Sequence, residues 1–226
     1  SEIGHREFVA ANRFGIGDLF NALLAPERAQ PQLEEALALT IELHSQNLIH
    51  DVTGSLAKSY IMLDDFNAAQ TCLESVLSNQ TPMDTLGIRY CWIQLGELAL
   101  SQGNPSHALD IAERLIESAP GISTGRVILS PWKLKGEALA ALGNVEEGIS
   151  LLCAAKENAQ GVGERFFLWQ VQASLGHLYH TKGDQGAAEV EFSAARALID
   201  ELAATAPEQA LKENFLQRAT HSISLK

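Results

Sequence analysis

The chain has 226 residues, 46% of them apolar and 19% charged, a balance that suits a packed core and not a disordered chain. Lys plus Arg total 16 against 28 Asp plus Glu, a formal charge of −12. That charge argues against a nucleic-acid ligand, which needs a basic face to displace counterions, and against docking on anionic lipid.

No apolar run approaches the roughly 18 residues of a membrane span. Ser1 is not an initiator Met and no basic-then-apolar leader follows it, so the sequence reads as a piece of something longer. Cys72, Cys91 and Cys153 are odd in number and scattered, which gives no disulfide framework and no metal spacing. A reducing, cytoplasmic setting is expected.

In chain order, residues 1–49 come first and carry the weakest pattern. Phe8, Val9, Phe14, Leu19, Phe20 and Leu23 suggest a helix, Phe14-Gly15 reads as a decayed Leu-Gly pair, and PQLEEALALTIELHSQN follows as a second helix. Four clearer copies start at His50, Arg89, Leu129 and Trp169, spaced 39, 40 and 40 residues apart. Each reads as two helices, striped for instance by Val52, Leu56, Tyr60 and Leu63, then Ala69, Leu73, Val76 and Leu77. The joining turns are Leu63-Asp64-Asp65, Gly103-Asn104-Pro105, Gly143-Asn144 and Gly183-Asp184, where Gly ends one helix and Asn or Asp caps the next. Longer connections near Ser78 and Ala119 separate repeats. Ala57, Gly96, Gly136 and Gly176 share one phase of the first helix, and Ala69, Ala108, Gly148 and Ala188 one phase of the second. A helical Gly costs about 1 kcal/mol against Ala, so close helix contact is expected at these positions. After Ala206, PEQALKENFLQRA reads as a lone closing helix begun by Pro207.

These residues resemble the tetratricopeptide repeat (TPR), whose signature is W-x₂-L-G-x₂-Y, then A-x₃-F, then Pro. Trp92, Leu95, Gly96, Ala108 and Pro120 carry it in one copy, Trp132 and Gly136 in the next, and Leu175, Gly176, Tyr179, Ala188 and Phe192 in the last. The family period is about 34 residues, so a longer one implies longer helices or longer connections. The resemblance implies an all-α, right-handed superhelical solenoid of about five helix pairs plus a cap. It would form one domain over 1–226, with a degenerate repeat at 1–49, repeats at 50–88, 89–128, 129–168 and 169–205, and a cap at 206–226. The long period and the closing run Glu213, Phe215, Leu216, Arg218, Ala219 are also similar to the C-terminal repeat regions of multidomain signalling ATPases and maltose-activator-type transcription regulators.

No residue set points to catalysis. His177 and His180 are three apart and could share a metal, but third and fourth ligands are lacking, so they read as groove-facing polar residues. Gly161-Val162-Gly163 follows a helix and lacks a third Gly, unlike a dinucleotide loop. No metal, cofactor or enzymatic activity is expected.

In this family first helices line a concave groove. Carried over by position, the groove candidates are Lys58, Met62, Tyr90, Gln94, Glu97, Lys133, Glu137, Gln170, His177 and Thr181. Gly54, Ser55 and Ala173 depart from the set that clamps a peptide C-terminal carboxylate. Glu97 and Glu137 read either as an acidic stripe or as partners of neighbouring Lys. The function this implies is a protein-interaction or sensor module of a larger signalling or transcription regulator, binding a peptide in its groove. Small-molecule effector binding, a free-standing adaptor and self-association as a homodimer through the terminal repeats are the alternatives.

Overall fold

The computed structural model describes residues 2–119 and 126–224, and these hold eleven α-helices and no strand. Packing divides the chain into two compact units, residues 1–103 and 104–226. The first holds α1 (Glu2–Ala22), α2 (Pro26–Glu42), α3 (Gln46–Met62), α4 (Phe66–Glu74) and α5 (Leu86–Ser101). The second holds α6 (Pro105–Glu117), α7 (Arg126–Ala141), α8 (Val145–Val162), α9 (Arg165–Lys182), α10 (Gln185–Ala203) and α11 (Gln209–Ser222). Within the first unit α1 packs on α2, α2 and α4 on α3, and α3 on α5. Within the second, α7 packs on α6 and α8, α9 on α8 and α10, and α11 on α10.

The helix starts keep the period. First helices begin at residues 46, 86, 126 and 165, and second helices at 26, 66, 105, 145 and 185. The extra length over the usual repeat is found in two ways. α4 has only nine residues and is followed by the long connection 75–85, whereas α8 has 18 and is separated from α9 by Gly163 and Glu164 alone. Pro120, the closing proline of the second signature, lies outside the described residues.

Every turn from a first helix to the second helix that follows it in the chain uses one left-handed residue at the same register position. Leu24, Asp64, Gly103, Gly143 and Gly183 all have φ between 53° and 92° and stand 40, 39, 40 and 40 residues apart. The left-handed residue ends the first helix, which glycine does without strain. Asp65, Asn104 and Asp184 then accept a backbone N–H as N-caps, at 3.0, 3.3 and 3.0 Å. Asn144, expected to do the same, makes no side-chain cap bond. The closing helix starts at Gln209 with Glu208 as N-cap, so Pro207 precedes it instead of opening its first turn.

The small residues mark backbone contacts. A Cβ on Gly148 would stand 2.6 Å from the Gly136 carbonyl oxygen, and one on Gly136 would stand 2.9 Å from Leu152 Cγ. Gly176 lies under the Phe192 ring, and Ala57 and Ala69 are fully buried. In α1 the position in this register is Gly17 and not Gly15. A Cβ on Gly17 would meet Leu33 Cγ at 2.5 Å, whereas nothing lies within 4 Å of the same atom on Gly15. The decayed Leu-Gly pair is therefore Ile16-Gly17, two residues beyond the pair read from the sequence. The two glycines should respond oppositely to substitution. Gly15→Ala gains helix propensity and should stabilise by up to about 1 kcal/mol. Gly17→Ala forces the buried Leu33 to move and should destabilise by about 1–2 kcal/mol. Urea unfolding of the two variants measures this, and equal responses would refute the register.

Candidate functional site

The corrected register brings out one recurring position on the first helices. The residue after each small position is Asp18, Lys58, Glu97, Glu137 or His177, polar in every repeat. In the first unit the Ser55 hydroxyl donates to Asp18 Oδ1 at 2.7 Å, across α1 and α3. The Ser59 hydroxyl donates to Asn21 Oδ1 at 2.8 Å, and Asn21 Nδ2 donates to the Ser55 carbonyl at 2.8 Å. Asn21, Ser55 and Ser59 are fully buried, so these bonds satisfy groups that would be costly left unpaired and fix the spacing of the two helices. In the second unit the same contact recurs at equivalent positions. The Ser174 hydroxyl on α9 donates to Glu137 Oε1 on α7 at 2.5 Å, while Lys133 Nζ donates to Glu137 Oε2 at 2.8 Å. Glu137 thus joins two helices and neutralises a lysine, which is the paired reading of that residue.

The other candidates differ between the units. In the first, a Cβ on Gly54 would stand 2.5 Å from Tyr90 Cδ1, so the half-buried tyrosine ring lies against α3, the helix that carries Lys58 and Met62. Lys58, Met62 and Glu97 are half-buried and Gln94 is 6% exposed. In the second unit the candidates are engaged within the chain. Gln170 Nε2 donates to the Phe166 carbonyl at 3.1 Å and the exposed Thr181 hydroxyl to the His177 carbonyl at 2.9 Å. His177 Nε2 lies 2.8 Å from the Ser222 carbonyl of α11, with its ring edge-on to Phe192 at 5.1 Å. His180 turns instead to Gln185 Oε1 at 3.0 Å. Among the described residues no group of three or more His, Cys, Asp or Glu could hold a metal ion.

Two acids of the first unit were missed in the sequence. Asp18 was hidden by the two-residue error in α1. Asp51 lies one turn before Ser55, at the position of Tyr90 and Gln170 in later repeats. Burial raises the Asp51 carboxyl above the ordinary aspartate range, His50 opposes that rise, and the nearby Asp18 carboxylate adds to it. Because the folded-state pKa is raised, the ionised form costs stability above that pKa, and the cost disappears as pH falls below the unfolded value. Asp51→Asn should therefore melt higher than the parent at pH 7, with the gap closing towards about pH 4. A gap that widened in acid would contradict this.

Two of the three thiols are protected. Burial pushes Cys91 up to about 12 and Cys72 up to about 11, away from the thiolate form. Cys91 Sγ donates to the His50 carbonyl at 3.2 Å. Tyr179 is raised to about 12, first by burial and then by its contact with Cys153.

Helical hairpins recurring every 40 or so residues and pressed together at small side chains define an α-solenoid repeat protein. No protein-family model matches the chain, and no curated protein does. Solved structures do. A kinesin light chain-like protein of Podosopora anserina with nearly identical TPR-like repeats is 15% identical and covers 89% of this chain and 99% of its own, with a TM-score of 0.58. BtubC (BKLC) of P. vanneervenii is 16% identical, with 88% and 91% covered and a TM-score of 0.60. A thermophilic TPR protein of Thermus thermophilus is 16% identical, with 95% and 98% covered and a TM-score of 0.53. The fold is that of the TPR proteins. No described helix is long and apolar enough to cross a membrane.

Proposed function

We propose that the chain is a non-catalytic protein-interaction module that binds a peptide segment on the first-helix face of residues 1–103. The observation that carries this is Tyr90: a half-buried ring seated on Gly54, on the face that also holds Lys58, Met62, Gln94 and Glu97. An aromatic anchor held in place loses little freedom on binding, and mixed charges beside it orient a peptide. The TPR fold supports the reading, since such repeats serve as interaction scaffolds. The thiols support the non-catalytic part, because burial holds Cys72 and Cys91 in the unreactive form.

The test is selection of binders from a random peptide library, followed by calorimetry. Tyr90→Ala should weaken the best peptide at least about tenfold while keeping its helicity and a cooperative, somewhat lower melting transition, whereas Thr181→Ala should leave binding intact. Failure to select any peptide, or equal binding by Tyr90→Ala, would refute the assignment. Within the same proposal the module acts as the sensor arm of a larger cytoplasmic regulator, and the reading frame flanking this segment tests that part.

A further inference from the structure

Two acids near Tyr90 lack a cation. Residues 1–103 hold five Lys and Arg against 13 Asp and Glu, a formal charge of −8 out of the chain's −12. The five cations have other engagements or stand further off. Arg6 pairs with Glu42 and Arg13 with Glu35 at 2.7 Å. Arg28 lies over the Phe20 ring at 4.3 Å, and the buried Arg89 donates to the Met83 carbonyl at 3.2 Å. Lys58 is the remaining one, seven residues along α3 from Asp51, or about 10 Å. Among the described residues no Lys or Arg pairs with Asp18 or Asp51, and no hydrogen bond reaches the half-buried Asp51 carboxylate. A cation brought by a partner would relieve the cost of that burial.

The acid and the ring occupy successive turns of the α3–α5 contact. A Cβ on Gly87 would stand 2.6 Å from Asp51 Oδ1. One turn on, a Cβ on Gly54 would stand 2.5, 3.1 and 3.3 Å from Tyr90 Cδ1, Cε1 and Cγ. Each helix thus lays a side chain across a glycine of the other, Asp51 on Gly87 and Tyr90 on Gly54. Gly54 follows Asp51 by three residues and Tyr90 follows Gly87 by three, so carboxylate and ring are about one helical turn apart, or about 5 Å. Ser55, next to Gly54, donates to Asp18 Oδ1 at 2.7 Å, which brings a second carboxylate to this level of α3. A ring face attracts a cation, and a carboxylate beside it adds to the attraction. A guanidinium uses both, since it stacks on the ring and its fork takes carboxylate oxygens, whereas an ammonium has no plane to stack. The charge of −8 repels an acidic peptide and draws a basic one. We propose that the peptide bound at Tyr90 is basic and that its anchor is an arginine, stacked on the Tyr90 ring with its charge held by Asp51 and Asp18. This rests on the peptide reading of the Tyr90 face and names the chemistry of the partner there.

The test uses three random peptide libraries that differ only in one fixed residue, Arg, Leu or Glu, and carry no other charged residue. Selection on the full chain should draw Tyr90-dependent binders from the Arg library. Replacing the fixed Arg by Gln in the best of them should weaken binding at least about tenfold. Asp51→Asn should lose the same factor for the Arg peptide and change the Gln peptide by less than about twofold, a coupling that general damage to the fold would not give. Asp51→Asn is expected to melt higher than the parent at pH 7, so its lost binding is not lost structure. Tyr90-dependent binders drawn as readily from the Leu or Glu library would overturn the arginine anchor and leave the peptide reading standing. Equal loss of the Arg and Gln peptides on Asp51→Asn, or loss of neither, would overturn it in the same way. No Tyr90-dependent binder from any library would overturn both.

Discussion

Phe215→Ala is expected to cost about 3–5 kcal/mol and to release α11 from the second unit. Phe215 is fully buried and meets Trp169 edge-on at 6.2 Å and Phe166 at 6.4 Å. Leu211, Ala219 and Ile223 continue the same stripe, each at most 2% exposed, while Gln209, Glu213, Gln217 and Thr220 face water. These contacts hold α11 against α9 and α10. Truncating the central ring leaves a cavity between α9 and α11 that a single short helix cannot close. Hydrogen exchange should show α11 amides unprotected while those of α7 and α8 keep their protection, as expected when one element of a repeat protein opens locally. His177 would lose its contact with the Ser222 carbonyl in the same step. A loss under about 1 kcal/mol with α11 still protected would refute the anchoring of α11 by Phe215.

Gly148→Val should cost about 3 kcal/mol, near the upper end for overpacking. The obstacle is backbone: a Cβ at Gly148 stands 2.6 Å from the Gly136 carbonyl oxygen and 3.2 Å from Ala140 Cβ. No rotamer change relieves a clash with a carbonyl, so α7 and α8 must move apart and leave gaps around Leu134 and Leu152, both fully buried. Gly161→Ala in the same helix is the control. Nothing lies within 4 Å of its Cβ position, so helix propensity should prevail and stabilise by about 0.5–1 kcal/mol. Equal denaturation midpoints for the two variants would mean that α7 and α8 are not held by close approach.

Much of the fold was legible because the repeat encodes it locally. The left-handed turn residues, the caps at Asp65, Asn104 and Asp184, and the small residues at Gly136, Gly148 and Gly176 each act within about 20 residues of chain, and each returns with the period. α1 was the weak point because two glycines two residues apart both suit a Leu-Gly reading, and only packing against Leu33 distinguishes them. That slip hid Asp18, which follows the correct glycine. Asn144 shows the limit at caps: the residue type was right, but the side chain makes no bond to the helix it precedes.

The candidate site was less legible. The sequence placed Glu137 and His177 on the correct helices, but not their partners. Ser174 lies 37 residues from Glu137, Ser222 lies 45 from His177, and Ser55 lies 37 from Asp18. Hydroxyls and backbone carbonyls occur throughout the chain, so nothing in their spacing marks them as partners.

The sequence by itself determined the repeated helix pairs, their period and the close contacts at Gly136, Gly148 and Gly176, because hydrophobic spacing and turn geometry are short-range properties that recur along the chain. Only the tertiary structure decided which polar groups are already used to hold helices together and which tyrosine ring lies against Gly54. Those outcomes depend on pairing between elements about 40 residues apart, where burial, and not residue type, sets what each side chain can do.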